Sequence, residues 1–241
     1  MIKGITLYKK RKPYLFSGPV FFDSASSSAY QAALSTYSWS HTCTGTNRGL
    51  IVGVSILATG TVTSITYNLV NMTFVRADAN GVYRNEMWRL ENPASGTNTV
   101  TVNLSASLTS IANASSWTGV SQTNMVEAEN GANGSGTDAT VSVTTISAST
   151  YVVANVSAQD TAITSVSPLR SRINNTGALG TGALGDSILK WVAGAVTTTW
   201  TDVAALQSWG IGAVALGPFT AAVATKIKDM ILPFGVIVRK R

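Results

Sequence analysis

Cysteine and histidine each occur once, as Cys43 and His41. A single cysteine excludes an internal disulfide and any multi-cysteine metal site, so stability must come from packing, backbone pairing or neighbouring subunits. A single histidine means that a Ser-His-Asp arrangement would have to centre on His41. Charge is scarce as well: 12% of residues are Asp, Glu, Lys or Arg, against about a quarter in ordinary soluble domains. Ser, Thr, Asn, Ala, Val and Gly take their place. Surfaces of hydroxyls and amides are common in secreted β proteins and in proteins packed into assemblies, where few long lysines have to be immobilised.

Long hydrophobic runs are also missing. The apolar stretch Ile211–Thr225 carries Gly217 and Pro218 and is too short to span a bilayer, so no transmembrane helix and no membrane partner are expected. Near the start, basic residues to Lys12, apolar Pro13–Phe22 and small Ser24–Ala29 imitate a signal peptide. Pro13, Gly18 and Pro19 interrupt that pattern, and the segment is expected to be retained in the mature chain.

The charge that is present sits at the ends. Lys3, Lys9, Lys10, Arg11 and Lys12 lie in residues 1–12, and Lys226, Lys228, Arg239, Lys240 and Arg241 face Asp229 alone in residues 226–241. The 241-residue chain carries 17 basic and 11 acidic side chains, which leaves 7 basic against 10 acidic between the two clusters. Basic tails of this kind reach acidic partner surfaces or packaged nucleic acid. A sequence-specific nucleic-acid reader is not expected, because such sheets interleave aromatics with basic residues and the central region is nearly neutral.

Between the ends the texture is that of short strands. Leu50–Leu57 is a near-continuous apolar run, Val62–Tyr67 and Met72–Arg76 follow, and Asn80-Gly81 marks a hairpin turn. Tyr83–Leu90 is stopped by Pro93 and Gly96. Thr97–Ser105 alternates with period two, placing Val100, Val102 and Leu104 on one face and Thr99, Thr101 and Asn103 on the other. Further strands are expected at Ile111–Val120, Thr140–Ile146, Tyr151–Ser157, Ile188–Val192, Thr197–Trp200 and Ser208–Leu216. The Asn130–Gly136 stretch and the GALG duplication at Gly177–Gly185 are expected to be loops, and Thr220–Met230 a short helix. The expected fold is all-β: an antiparallel β-sandwich, jelly-roll-like, over residues 37–217, with extended basic arms at 1–36 and 218–241.

Catalytic signals are weak. In a strand, His41 and Cys43 share a face with their side chains roughly parallel, which suits a nucleophile and its base poorly. The pair Glu127 and Glu129, and Glu86 and Glu91 about Trp88, are the residue types glycosidases use, but their separation cannot be read from sequence. Asp78-Ala-Asn80-Gly81 opens like a calcium loop and lacks the later ligands. No enzyme activity, cofactor or metal is expected. Sequons occur at Asn71, Asn103, Asn113, Asn133, Asn155 and Asn174.

Four segments together resemble a loose group of phage and bacterial virion-associated β-sandwich proteins: NRGLIVGVSI at Asn47–Ile56, VTSITYNLVNMTF at Val62–Phe74, MWRLENPASGTNTVTV at Met87–Val102 and WTGVSQT at Trp117–Thr123. The match extends over residues 38–160 and leaves the arms outside. It implies a β-sandwich and a structural role at a particle surface, with no catalytic residues to transfer. The expected function is therefore a non-enzymatic virion protein, a capsid decoration or accessory subunit, whose partners are other virion subunits including copies of itself. The alternative is a carbohydrate-binding or host-adhesion module, since Trp and Tyr are available for sugar stacking. The partner-binding residues expected are Lys9, Lys10, Arg11, Lys12, Tyr14, Phe16, Phe21, Phe22, Arg239, Lys240 and Arg241.

Overall fold

The computed structural model describes residues 15–159, 163–202 and 207–222. They form strands and no helix. In chain order these are β1 Leu15–Ser17, β2 Phe21–Cys43, β3 Gly49–Leu57, β4 Val62–Tyr67, β5 Val70–Asn71 and β6 Thr73–Asn80. Next come β7 Tyr83–Glu91, β8 Gly96–Thr118, β9 Val126–Gly136, β10 Asp138–Thr145, β11 Val152–Ala158 and β12 Ile163–Val166. The last are β13 Leu169–Gly177, β14 Gly180–Ser187, β15 Gly194–Asp202, β16 Gln207–Leu216 and β17 Thr220–Ala222. The chain divides into two compact units, one of residues 1–17 with 220–241 and one of residues 18–219. In the first, β1 and β17 pair antiparallel, Leu15 opposite Ala222.

The second unit is all-β and antiparallel, as the strand periodicity predicts. Its largest sheet has seven strands in the order β5-β4-β8-β3-β7-β6, with β2 along β8. β2 and β8 are each 23 residues long and pair from Phe21–Thr118 to Cys43–Gly96, with bulges between Ser27 and Thr36. β4 pairs the first half of β8 and β3 the second half. At the bulges Ala29 and Ala33 take positive φ (59° and 51°), and the sheet folds over on itself, because bulges bend a strand and sharpen its twist. Val100, Val102 and Leu104 of the first half thereby pack with Ala112 and Ala114 of the second half, around Leu50, Val52, Val54, Ile65 and Tyr67. This is the first sandwich.

A second sandwich follows from β9 onward. The five-stranded sheet β13-β14-β11-β16-β9 lies against the three-stranded sheet β10-β15-β12. Between them Val141, Val143, Val152, Val156, Ile211 and Trp200 form a separate apolar core. The two sandwiches stand back to back, giving four layers. Every residue of β3, β11 and β14 is buried, so these strands are covered on both faces. One edge of the seam between the inner layers is apolar, with Ile51, Met87, Trp117, Met125, Val153, Leu184 and Val214.

The middle of that seam is polar. Asn113 Nδ2 donates to Asn155 Oδ1 at 3.2 Å, and the carboxamides of Asn155 and Asn85 meet at 2.7 Å. Ser55 Oγ donates to the Val156 carbonyl at 2.7 Å, and Ser157 Oγ returns a bond to the Ile56 carbonyl at 3.2 Å. All five side chains are buried, and buried amides and hydroxyls are tolerated only when paired in this way. Glycine brings the sheets close enough: Gly53 lies against the Asn155 side chain, Gly182 against Ser55, and Gly210 against the Asp78 carbonyl oxygen.

These glycines account for two corrections. The Asn130–Gly136 segment, expected as a loop, is most of β9 and pairs β16. Gly131 leaves room for Arg76 and Asp78, and Gly134 for the Trp209 ring. The GALG duplication, also expected as a loop, supplies β14, where Ala183 enters the second core and Leu184 the seam. In both segments glycine acts as a thin spacer between layers. Ile188–Val192, expected as a strand, is a loop held by backbone bonds between Lys190 and Thr150, with Ile188, Trp191 and Val192 exposed. The expected strands Thr97–Ser105 and Ile111–Val120 are one continuous β8. Of the expected helix Thr220–Met230, Thr220–Ala222 is strand β17, and the remainder lies outside the described residues.

The arm expected over residues 1–36 is shorter than that. From Phe21 on the chain is β2, an edge strand of the first sandwich, because the serine-rich run packs on β8 instead of awaiting a neighbour: Ser27 Oγ donates to the Ala112 carbonyl.

Contact between the inner sheets sets the tolerance to added volume. An Ala Cβ at Gly210 would overlap the backbone of Asp78, which cannot rotate away, whereas one at Gly18 meets nothing among the described residues. Gly210→Ala should lower unfolding free energy by about 1–3 kcal/mol, and Gly18→Ala should change it by less than about 0.5 kcal/mol, as measured by urea denaturation.

Candidate functional site

The residues singled out for chemistry are engaged in holding the fold. His41 is 1% exposed. Its Nδ1 bonds Ser26 Oγ at 2.7 Å, which also accepts from Trp39 Nε1 at 2.9 Å, and its Nε2 has no partner among the described residues. Burial pulls the His41 pKa down to about 4, with the nearby Asp23 carboxylate opposing the shift only in part. Burial also raises the Asp23 carboxyl, but hydrogen bonds from the Thr44 hydroxyl and N–H and from Ser116 outweigh it and hold that group below its usual range. Cys43 is fully buried and its thiol is pushed up by burial. A buried, protonated thiol beside a sealed imidazole is a poor nucleophile.

The carboxylates are likewise committed. Glu127 accepts from the N–H groups of Ile146 and Ser147, both at 2.9 Å, and Glu129 pairs with Arg76 at 3.1 Å. Glu86 is buried and takes Arg84 Nε at 2.6 Å and Trp88 Nε1 at 3.3 Å. Glu91 pairs with Arg89. Asp78, at the turn compared with a calcium loop, is held by Arg76 in a two-bonded pair. Among the described residues no group of three or more His, Cys, Asp and Glu side chains is placed to hold a metal ion.

Of the expected partner-binding residues, Lys9, Lys10, Arg11, Lys12, Tyr14, Arg239, Lys240 and Arg241 lie outside the described residues. Phe16 sits in β1, opposite Ala221. Phe21 is exposed. Phe22 packs edge-on against Trp117 at 5.5 Å with the Arg172 guanidinium 3.8 Å above its ring, a cation–π contact. Its partners thus lie within residues 18–219.

The outer faces of the stack are the candidate functional surfaces. On the first sandwich, β2 presents Thr36, Ser38, Ser40 and Thr42, in register with Asn103, Thr101, Thr99 and Thr97 of β8. Ser64 and Thr66 of β4 continue two of these rows. Alternation explains the tiling: the intervening Tyr37, His41, Cys43, Val100 and Val102 are buried. Neighbouring hydroxyls and amides bond one another, Thr42 to Thr97 at 2.8 Å, Thr36 to Asn103 at 2.9 Å and Asn103 to Ser64 at 3.0 Å. The three-stranded outer sheet of the second sandwich repeats the pattern. Thr140 bonds Thr199 at 3.1 Å, Ser142 bonds Thr197 at 2.7 Å, and Thr201 donates to Asp138 at the corner.

Sequence reasoning recorded the Thr99–Thr101–Asn103 face only as the solvent side of a strand. Its partner row was missed because Thr36–Cys43 was divided between an arm and a weak catalytic motif. The signal available was the alternation in Thr36-Tyr-Ser-Trp-Ser-His-Thr-Cys43. Two of the sequons, Asn113 and Asn155, are buried in the seam and closed to glycosylation in the folded chain. No protein-family model, curated protein or solved structure matches the chain.

The environment of His41 makes acid stability a direct readout. Its pKa falls from 6.5 to about 4 on folding, so above 6.5 both states are neutral. As pH drops from there to about 4, the unfolded chain takes up a proton that the folded chain refuses, and stability is lost by about 3 kcal/mol. Urea titrations at about pH 7 and pH 4 should show a smaller loss for His41→Asn than for the parent chain by that amount; equal losses would contradict the assignment.

Proposed function

We propose that the chain is a non-enzymatic structural protein of a virus particle, a capsid decoration or accessory subunit at its surface. The observation that carries this reading is the four-layer stack, whose broad outer faces are tiled with Ser, Thr and Asn and carry almost no charge. Such a body is stiff, since its central strands β3, β11 and β14 are buried on both faces, and its surface loses little side-chain entropy when packed against a neighbour. The engagement of His41, Cys43 and the glutamates in structural contacts fits a chain that does no chemistry. The likeness of the Asn47–Ile56, Met87–Val102 and Trp117–Thr123 segments to virion-associated β-sandwich proteins supports the particle context. In this reading the basic clusters at 1–12 and 226–241 tie the subunit to acidic surfaces of its neighbours, copies of itself included.

Quantitative mass spectrometry of purified particles tests it. The chain should be present in a fixed integer ratio to the major capsid subunit, and deletion of residues 1–12 should lower that occupancy more at low salt than at high salt, where the charge contacts it removes are already screened. Absence from particles, or presence in only a few copies, would contradict a decoration role.

A further inference from the structure

The β4–β5 turn shapes one end of the hydroxyl face into a depression of about 360 Å³, lined by Asn68, Leu69, Thr97, Asn98, Thr99 and Thr101. Asn68 and Leu69 both take positive φ, 49° and 65°. For a branched apolar residue such as leucine that backbone is costly, and a hydrogen bond from Asn68 N–H to the Thr99 carbonyl at 3.0 Å anchors the turn against β8. The outcome is an apolar side chain, 93% exposed, held beside the three threonines and Asn68, while the Asn98 amide nitrogen is turned to Tyr67 Oη at 3.3 Å. No core contact explains the exposure of Leu69.

We infer that this depression is a binding site for a neutral pyranose sugar. The ligand class follows from the lining. Threonine hydroxyls and asparagine amides donate and accept without charge, matching the alternating hydroxyls of a sugar, and Leu69 offers an apolar surface to the C–H face of the ring. Among the described residues no acidic or basic side chain lines the depression to compensate the desolvation of a carboxylate or phosphate, and charged sugars are disfavoured. The size falls at the lower end of small-molecule sites. Beyond the depression the rows continue in register, Ser40 beside Thr99 and Thr42 beside Thr97. Adjacent strands repeat at about 4.8 Å and side chains on one face at about 6.7 Å, so a second sugar residue meets the same neutral donors and acceptors. The site is open and lacks an aromatic platform, and its affinity is therefore millimolar. This inference does not depend on the particle role.

Ligand-observed NMR on the full chain tests it, with methyl glucoside, methyl galactoside, methyl mannoside, N-acetylglucosamine, maltose and cellobiose as neutral probes, and glucuronic acid and glucose 6-phosphate as charged ones. At least one neutral probe should bind, and the charged probes should bind about tenfold more weakly or not at all. Leu69→Gly relieves the backbone at that position while removing the apolar platform, and Thr99→Arg fills the depression from an exposed position. Each should weaken binding about tenfold with the thermal transition retained. The absence of binding by every neutral probe, equal binding of charged probes, or binding unchanged in both folded variants would overturn the assignment.

Discussion

Everything in the large unit depends on how closely its two inner sheets approach. Sheets packed through large side chains stand about 10 Å apart, and a seam filled with glycine, serine and asparagine is thinner. In that thin seam the Ser55 and Ser157 hydroxyls reach the backbone carbonyls of the opposite sheet, and Asn155 ties Asn85 to Asn113. The constraint works in both directions. Small residues permit the approach, and the approach makes each buried amide obligatory, since an unpaired one costs about 1–3 kcal/mol. The apolar cores on either side can then be ordinary sandwich cores built from Val, Ile, Leu and Trp.

How much of this was legible in the sequence varied with the physical signal. Period-two alternation is clear in β4, β10 and the first half of β8, each with one apolar face and one solvent face, and loose in β7, where Asn85, Glu86, Met87 and Trp88 are all buried. Asn80-Gly81 gave the β6–β7 hairpin for its turn chemistry, and Gly81 takes the positive φ that turn requires. Strands buried on both faces were harder. β3 was found because its two faces are both apolar, while β14, buried but rich in glycine, and the partly exposed β9, rich in glycine and asparagine, were missed because composition alone reads such segments as loop. Their role depends on what lies across the seam, and that is nonlocal. Apolar Ile188–Val192 misled in the opposite sense: it has strand composition and lies in an exposed loop.

The same partition applies to the functional surfaces. The parallel side chains expected of His41 and Cys43 suit a nucleophile and its base poorly, and both residues are buried on the inner face of β2. The hydroxyl face could not be assembled without the register that sets Thr36–Thr42 beside Asn103–Thr97. A low-charge composition then acquires a location: the few charged residues of the central region are spent largely in ion pairs, Arg76 with Asp78 and Glu129, Arg84 with Glu86, and Arg170 and Arg172 with Asp186. What is left for the two outer sheets is nearly neutral, with Asp138 at one corner, and that suits both a packed subunit face and an uncharged ligand.

A polar seam of this kind should make the two sandwiches one cooperative body. Native-state hydrogen exchange measures this most directly, because amides of elements that open together share one opening free energy. The slowest amides of β3 and β8 in the first sandwich, and of β11 and β14 in the second, should exchange only through global unfolding, with the same free energy and the same dependence on denaturant. Two distinct opening free energies, one for each sandwich, would contradict the account.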